Sequence, residues 1–150
     1  MSDAPQINLE RIYIKDVSFE SPQAPMVFGD QWQPKVKLDM NTSSTQLEEG
    51  RFEVALRVTL TTSTPEEVTT MIVEVTQAGV FHLSGLDEAQ CKQVLATMCP
   101  NVLFPYIREQ VDSLMVKGGF PPIHLAPVNF EALYAQAQQA ENEAGQAPSH

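Results

Sequence analysis

Five apolar residues at alternate positions, Phe52, Val54, Leu56, Val58 and Leu60, constrain this chain more than any other feature. Glu53, Arg57 and Thr59 lie between them. Successive side chains of a β-strand point to opposite faces, so the stretch predicts a strand with one buried and one wet face, as in an antiparallel sheet. Lys35 to Met40 alternates in the same way. From Thr69 to Leu83, Met71, Val73 and Val75 share one face, and Ile72, Glu74 and Thr76 share the other. Near Ile12 to Glu20 the parity switches, from Ile12 and Ile14 to Val17 and Phe19. A bulge, or a strand buried on both faces, accounts for that switch. Glu48-Glu49-Gly50 and Ser63 to Glu67 read as hairpin turns.

Past Gly85 the period becomes helical. Asp87, with Gln90 three residues on, makes a capping-box pattern for a helix to about Met98, interrupted by Cys99-Pro100-Asn101. A longer helix follows, with Ile107, Val111, Leu114 and Met115 on one stripe and Arg108 and Asp112 paired on the polar side. Gly118-Gly119 stops it. Asn129 is expected to cap a last helix, with Val128 stapled onto Leu133, and with Phe130, Leu133, Tyr134 and Ala137 on its apolar side. From Gln138 onward the chain lacks Lys and Arg and is expected to fray. The expected fold class is α+β: a four-stranded antiparallel sheet with a long helix broken near Pro100 and a C-terminal helix. The expected organisation is a flexible N-terminus over 1–7, one domain over 8–140 and a disordered tail over 141–150. A chain of 150 residues suffices for one such core.

Nine Lys and Arg against nineteen Asp and Glu give a formal net charge of −10. That balance repels phosphate backbones and anionic membranes, so it argues against nucleic acid and suits a basic protein partner. No apolar run approaches the ~18 residues of a membrane span, and the first residues carry no secretory leader. A cytoplasmic protein with reduced, buried thiols is expected. On a continuous helix Cys91 and Cys99 would stand about 12 Å apart, beyond the ~7 Å reach of a disulfide. The chain has no G-x-S-x-G, no H-E-x-x-H and no phosphate-binding glycine loop, so neither a catalytic centre nor a cofactor or metal is expected.

Two irregular segments are more apolar than loops usually are. Connections normally cross the surface and are polar, because buried irregular backbone leaves donors and acceptors unpaired. The segment from Ser21 to Trp32 carries Met26, Val27, Phe28 and Trp32, and the segment from Phe120 to Pro127 carries Phe120, Ile123 and Leu125. Ordinary burial in the core is the competing explanation for each of them. Together they suggest an exposed apolar groove, a feature that marks binding sites.

The chain resembles the SecB protein-export chaperones over about residues 8 to 135. The resemblance is carried by Arg11-Ile12-Tyr13-Ile14-Lys15-Asp16-Val17-Ser18-Phe19-Glu20, Trp32-Gln33-Pro34, Cys99-Pro100-Asn101-Val102-Leu103-Phe104-Pro105-Tyr106 and Leu125-Ala126-Pro127-Val128-Asn129-Phe130. It implies assembly as a homotetramer, a dimer of dimers, and an ATP-independent holdase that passes unfolded precursor proteins to the SecA motor. It also implies a client groove between the two apolar loops, with Phe130, Leu133 and Tyr134 of the last helix beside them. By the same resemblance, Asp16, Glu20, Ile72 and Glu74 form a SecA-docking face, while Val73, Val75 and Gln77 bear on tetramer assembly. Two other uses stay open: the loops could enclose a small apolar ligand, and a related chaperone could serve a toxin–antitoxin pair.

Overall fold

The computed structural model describes residues 4–146. Four strands, β1 (Gln6–Glu20), β2 (Lys35–Glu48), β3 (Arg51–Ser63) and β4 (Thr69–Ser84), form one antiparallel sheet in the order β1-β4-β3-β2. Three helices follow, α1 (Glu88–Ala96), α2 (Met98–Lys117) and α3 (Phe130–Gln146). The alternation of β3 translates directly into burial, with Val54, Leu56, Val58 and Leu60 fully enclosed. On β4, Met71, Val73, Val75, Phe81 and Leu83 share that face with them. The stripe of α2 covers it, and Leu103, Ile107, Val111 and Met115 are likewise fully enclosed. Among the described residues no helix is long and apolar enough to cross a membrane.

Several boundaries differ from expectation. Strand β1 begins at Gln6, inside the stretch expected to be flexible. Its parity switch is a register shift between Ile14 and Asp16, with a second shift between Leu9 and Arg11. It is not a strand buried on both faces: Leu9, Ile14 and Val17 stay exposed in the single chain. Strand β2 runs eight residues past Met40, through a polar tract that an edge strand tolerates because one side of it meets water.

The break between the first two helices falls at Thr97, whose side chain bonds back to the Gln93 carbonyl at 2.7 Å. Pro100 lies in the first turn of α2, where its missing N–H costs nothing. The Arg108–Asp112 pair is not formed: Arg108 lies over the Phe104 ring, and Asp112 turns to His124. The Asp87–Gln90 capping box is present, and Asn129 Oδ1 accepts from the Ala132 N–H. Leu133 is half-exposed rather than stapled by Val128. Helix α3 continues through residues expected to fray, which its Ala, Gln and Glu content favours. The rest of the expected tail, 147–150, lies outside the described residues.

At the end of α2 the Gly119 N–H bonds to the Val116 carbonyl and the Phe120 N–H to the Met115 carbonyl, closing a Schellman cap with Gly119 at φ +87°. Both glycines also make room. A Cβ on Gly118 would overlap the Phe19 ring, and one on Gly119 would come within 3.0 Å of Phe28. Gly118→Ala should therefore lower unfolding free energy by about 1–3 kcal/mol in urea titrations, the usual cost of overpacking. In a Phe19→Leu background the added cost should shrink. Equal costs in both backgrounds would mean that the ring is not what excludes the methyl.

Candidate functional site

Strand order explains why the first loop is apolar. The chain leaves β1 at one edge and must reach β2 at the other, so residues 21–34 cross the end of the sheet. Midway, a short 3-10 turn over Met26–Gly29 buries Val27 in the core cluster. The second loop meets it there. Phe120 is buried, and its ring centroid lies 5.1 Å from Trp32, 5.5 Å from Phe28 and 6.4 Å from Phe19, all tilted. Such pairs add roughly 0.5–1.5 kcal/mol each beyond area burial. The cluster is open on one side, with Phe28 51% and Met26 78% exposed.

The remaining residues of the expected groove do not all join this cluster. Ile123 is half-buried against the core. Leu125 and Phe130 are buried, and Phe130 packs edge-on to Phe104 at 6.2 Å. Leu133 is half-exposed on α3. Tyr134 instead lines a second groove, of about 1050 Å³. There it faces Thr42, Ser44 and Gln46 of β2, Phe52 and Leu83 of the sheet, and Cys91 and Leu95 of α1. Sequence reasoning missed this groove because its β2 wall is polar. The available signal was register: Thr42, Ser44 and Gln46 pair with Leu56, Val54 and Phe52, which places them on the helix side of the sheet.

The opposite face of the sheet carries the acidic residues. Glu20 pairs with Ile72, Ser18 with Glu74, and Asp16 with Thr76, so Asp16, Glu20, Ile72 and Glu74 form one patch across β1 and β4. Arg57, on the neighbouring strand, reaches Glu74 at 3.1 Å. Farther along the same face Glu53 accepts from Tyr13 and from Lys15 Nζ, the latter at 2.8 Å. Burial first, and then the bond to Glu53, pushes the Tyr13 phenol up to about 12. The bond from Lys15, followed by that from Tyr13, holds the Glu53 carboxyl below its usual range.

Val73, Val75 and Gln77 lie on the helix side, buried within their own chain. The Gln77 amide donates to the Tyr13 carbonyl at 3.1 Å, and its buried Oε1 has no partner. Both cysteines are free. Cys99 is buried, its thiol pushed up to about 12 by that burial, whereas Cys91 is only half-buried, at the rim of the second groove. Among the described residues no group of three or more His, Cys, Asp or Glu could hold a metal ion.

Residues 1–141 match the family model described as preprotein translocase subunit SecB. Protein-export protein SecB of Pseudomonas savastanoi pv. phaseolicola is 49% identical over 147 residues, covering 98% of this chain and 90% of that protein. The same-named protein of Marinobacter nauticus is 50% identical over 145 residues, covering 95% of this chain and 87% of that one. The solved SecB-like chaperone of Mycobacterium tuberculosis, in complex with a ChAD peptide from the HigA1 antitoxin, aligns with a TM-score of 0.68 at 18% identity. That alignment covers 82% of this chain and 91% of that one, and it establishes likeness of fold.

Tyr13 supplies a pH test. A group whose folded pKa is raised contributes stability that is complete below its unfolded value, here 10.0, and is lost as pH rises toward about 12. Unfolding free energy should therefore fall across that alkaline window. Glu53→Gln removes the carboxylate and should bring the Tyr13 midpoint down in absorbance titrations. An unchanged midpoint would show that the Tyr13–Glu53 contact is not made in solution.

Proposed function

The chain belongs to the SecB family and is a protein-export chaperone, not an enzyme; from that premise we propose that it holds unfolded precursor proteins in the cytoplasm, without ATP, and hands them to the SecA motor. The observation that carries this reading is the half-open ring cluster of Phe28, Trp32 and Phe120 where the two apolar loops meet. Unfolded chains expose apolar segments that folded ones hide. Ring faces accept such segments without reading a particular sequence, and each buried side chain contributes roughly 1.5–3 kcal/mol. Slow folders stay exposed longest and are caught. The client surface centres on Met26, Phe28, Trp32 and Ile123, which are at least partly exposed; Val27, Phe120, Leu125 and Phe130 are buried and back it from beneath, while Leu133 is exposed on α3 and Tyr134 faces the second groove.

Assembly as a homotetramer supports that role, because several grooves on one particle raise the effective concentration for a long client. Two features favour such assembly. Leu9, Ile14 and Val17 leave apolar surface on the β1 edge strand, and Tyr106 and Val116 leave more on α2. Val73, Val75 and Gln77 are buried within the chain, so they act on assembly by setting how α2 seats on the sheet. The patch of Asp16, Glu20, Ile72 and Glu74 docks SecA through a basic surface on that partner.

Phe28→Ala should weaken capture of an unfolded precursor about tenfold, near 1.4 kcal/mol, with little loss of stability because the ring is half-exposed. Titration calorimetry and thermal melts measure the two effects. Glu74→Lys should weaken SecA binding while client capture persists. Wild-type protein that fails to delay aggregation of a denatured precursor overturns the proposal.

A further inference from the structure

The loop between α2 and α3 is anchored at Phe120 and Leu125 by burial, and between them its hydrogen bonds go to a single carboxylate. His124 takes φ +58°, a left-handed conformation that non-glycine residues seldom adopt. Its backbone N–H donates to Asp112 Oδ1 at 3.1 Å, and its ring Nδ1 meets Oδ2 at 3.0 Å. Both oxygens of one side chain thus grip one residue. Asp112 is mostly covered, with 20% of its side chain exposed, while the His124 ring is 75% exposed. Among the described residues no other hydrogen bond reaches residues 121–128. The strap they form starts just after Gly118-Gly119, the point where the backbone turns out of α2.

Phe120 sits between that glycine pair and His124, its ring over Trp32 and Phe28. A backbone in a sparsely populated conformation persists only while its surroundings hold it there. Removing the carboxylate takes away both bonds and leaves the strain, so the strap should lift about the glycines and uncover the rings.

We propose that Asp112 and His124 form a latch that holds residues 120–124 closed over the Trp32–Phe28 rings, so that Asp112 governs access to the ring cluster for an apolar polypeptide segment. The latch as a route for clients rests on the client-binding reading above; the latch itself does not. Asp112 touches no client in this scheme and acts by positioning the strap.

Trp32, the only tryptophan of the chain, reports directly on the strap. In the full-length protein, Asp112→Ala should raise the open fraction at least about tenfold, the effect of losing two hydrogen bonds to a partly exposed charged group. The readouts are stronger acrylamide quenching of Trp32 and faster hydrogen exchange at the Phe120 amide, both without client. Asp112→Asn keeps an acceptor for the His124 N–H and should fall between wild type and Asp112→Ala. It also serves as the test if the alanine variant folds poorly. Client association measured by stopped flow should quicken in the same order.

Wild-type quenching and exchange in Asp112→Ala, or in Asp112→Asn should the alanine variant not fold, overturns the latch whatever the clients do. Failure of the wild type to capture clients overturns the client reading instead and leaves the quenching result standing.

Discussion

Strand order is the constraint from which the rest follows. Since β1 pairs with β4 and β2 lies at the far edge, fourteen residues, 21 to 34, must bridge the width of the sheet. A connection lying across a hydrophobic sheet end cannot be wholly polar. It buries Val27 and half-buries Trp32, while Phe28 stays half in water. The end of α2 has to accommodate those rings, and only a backbone without Cβ atoms comes close enough. Gly118 and Gly119 therefore serve Phe19 and Phe28 as well as helix termination. The turn they allow sends Phe120 back onto the same rings.

The two faces of the sheet divide the work. The helix side is closed at its centre, where β3, β4 and α2 enclose their apolar residues completely, and loosens toward both edges. There Leu9, Ile14 and Val17 on β1, and Val36 and Leu38 on β2, remain exposed. The other face is charged. Its carboxylates are not all free: Arg57 occupies Glu74, and Lys15 and Tyr13 occupy Glu53. Were a basic partner to dock at Glu74 as proposed, it would have to displace or bridge Arg57, and the cost of exchanging one ion pair for another would temper its affinity and favour a reversible contact.

How much of this was legible in the sequence depended on whether local chemistry or distant neighbours decided each feature. Phe52 to Leu60, the Asp87–Gln90 box and the Asn129 cap are local, and they stand where the residues put them. Both apolar loops were visible from composition, and they meet at Phe120. That Leu125 and Phe130 are buried while Tyr134 faces another groove was not visible, because helical spacing does not say which neighbour an apolar side chain finds. The polar half of β2 forms a strand only because β3 pairs with it. Asp112 looked like the i,i+4 partner of Arg108, yet a residue twelve positions away competes for it with two donors. Sequence spacing cannot rank those alternatives; the loop that brings His124 back can.

If the ring cluster takes clients as proposed, it places opposite demands on one small chain. It must keep rings in reach of other polypeptides without letting them collapse inward or stick to one another. The enclosed centre meets the first demand, since residues such as Leu56, Leu103 and Ile107 anchor β3 and α2 at full burial, with Val27, Phe120 and Leu125 of the loops joining the same core. The strap is poor in hydrogen bonds, a feature of segments that open locally, though Phe120 and Leu125 keep it packed on the core. The aromatic cluster meets the second demand. Tilted rings stacked around Phe120 satisfy one another when no client is present, at a contact energy that an incoming apolar segment can match.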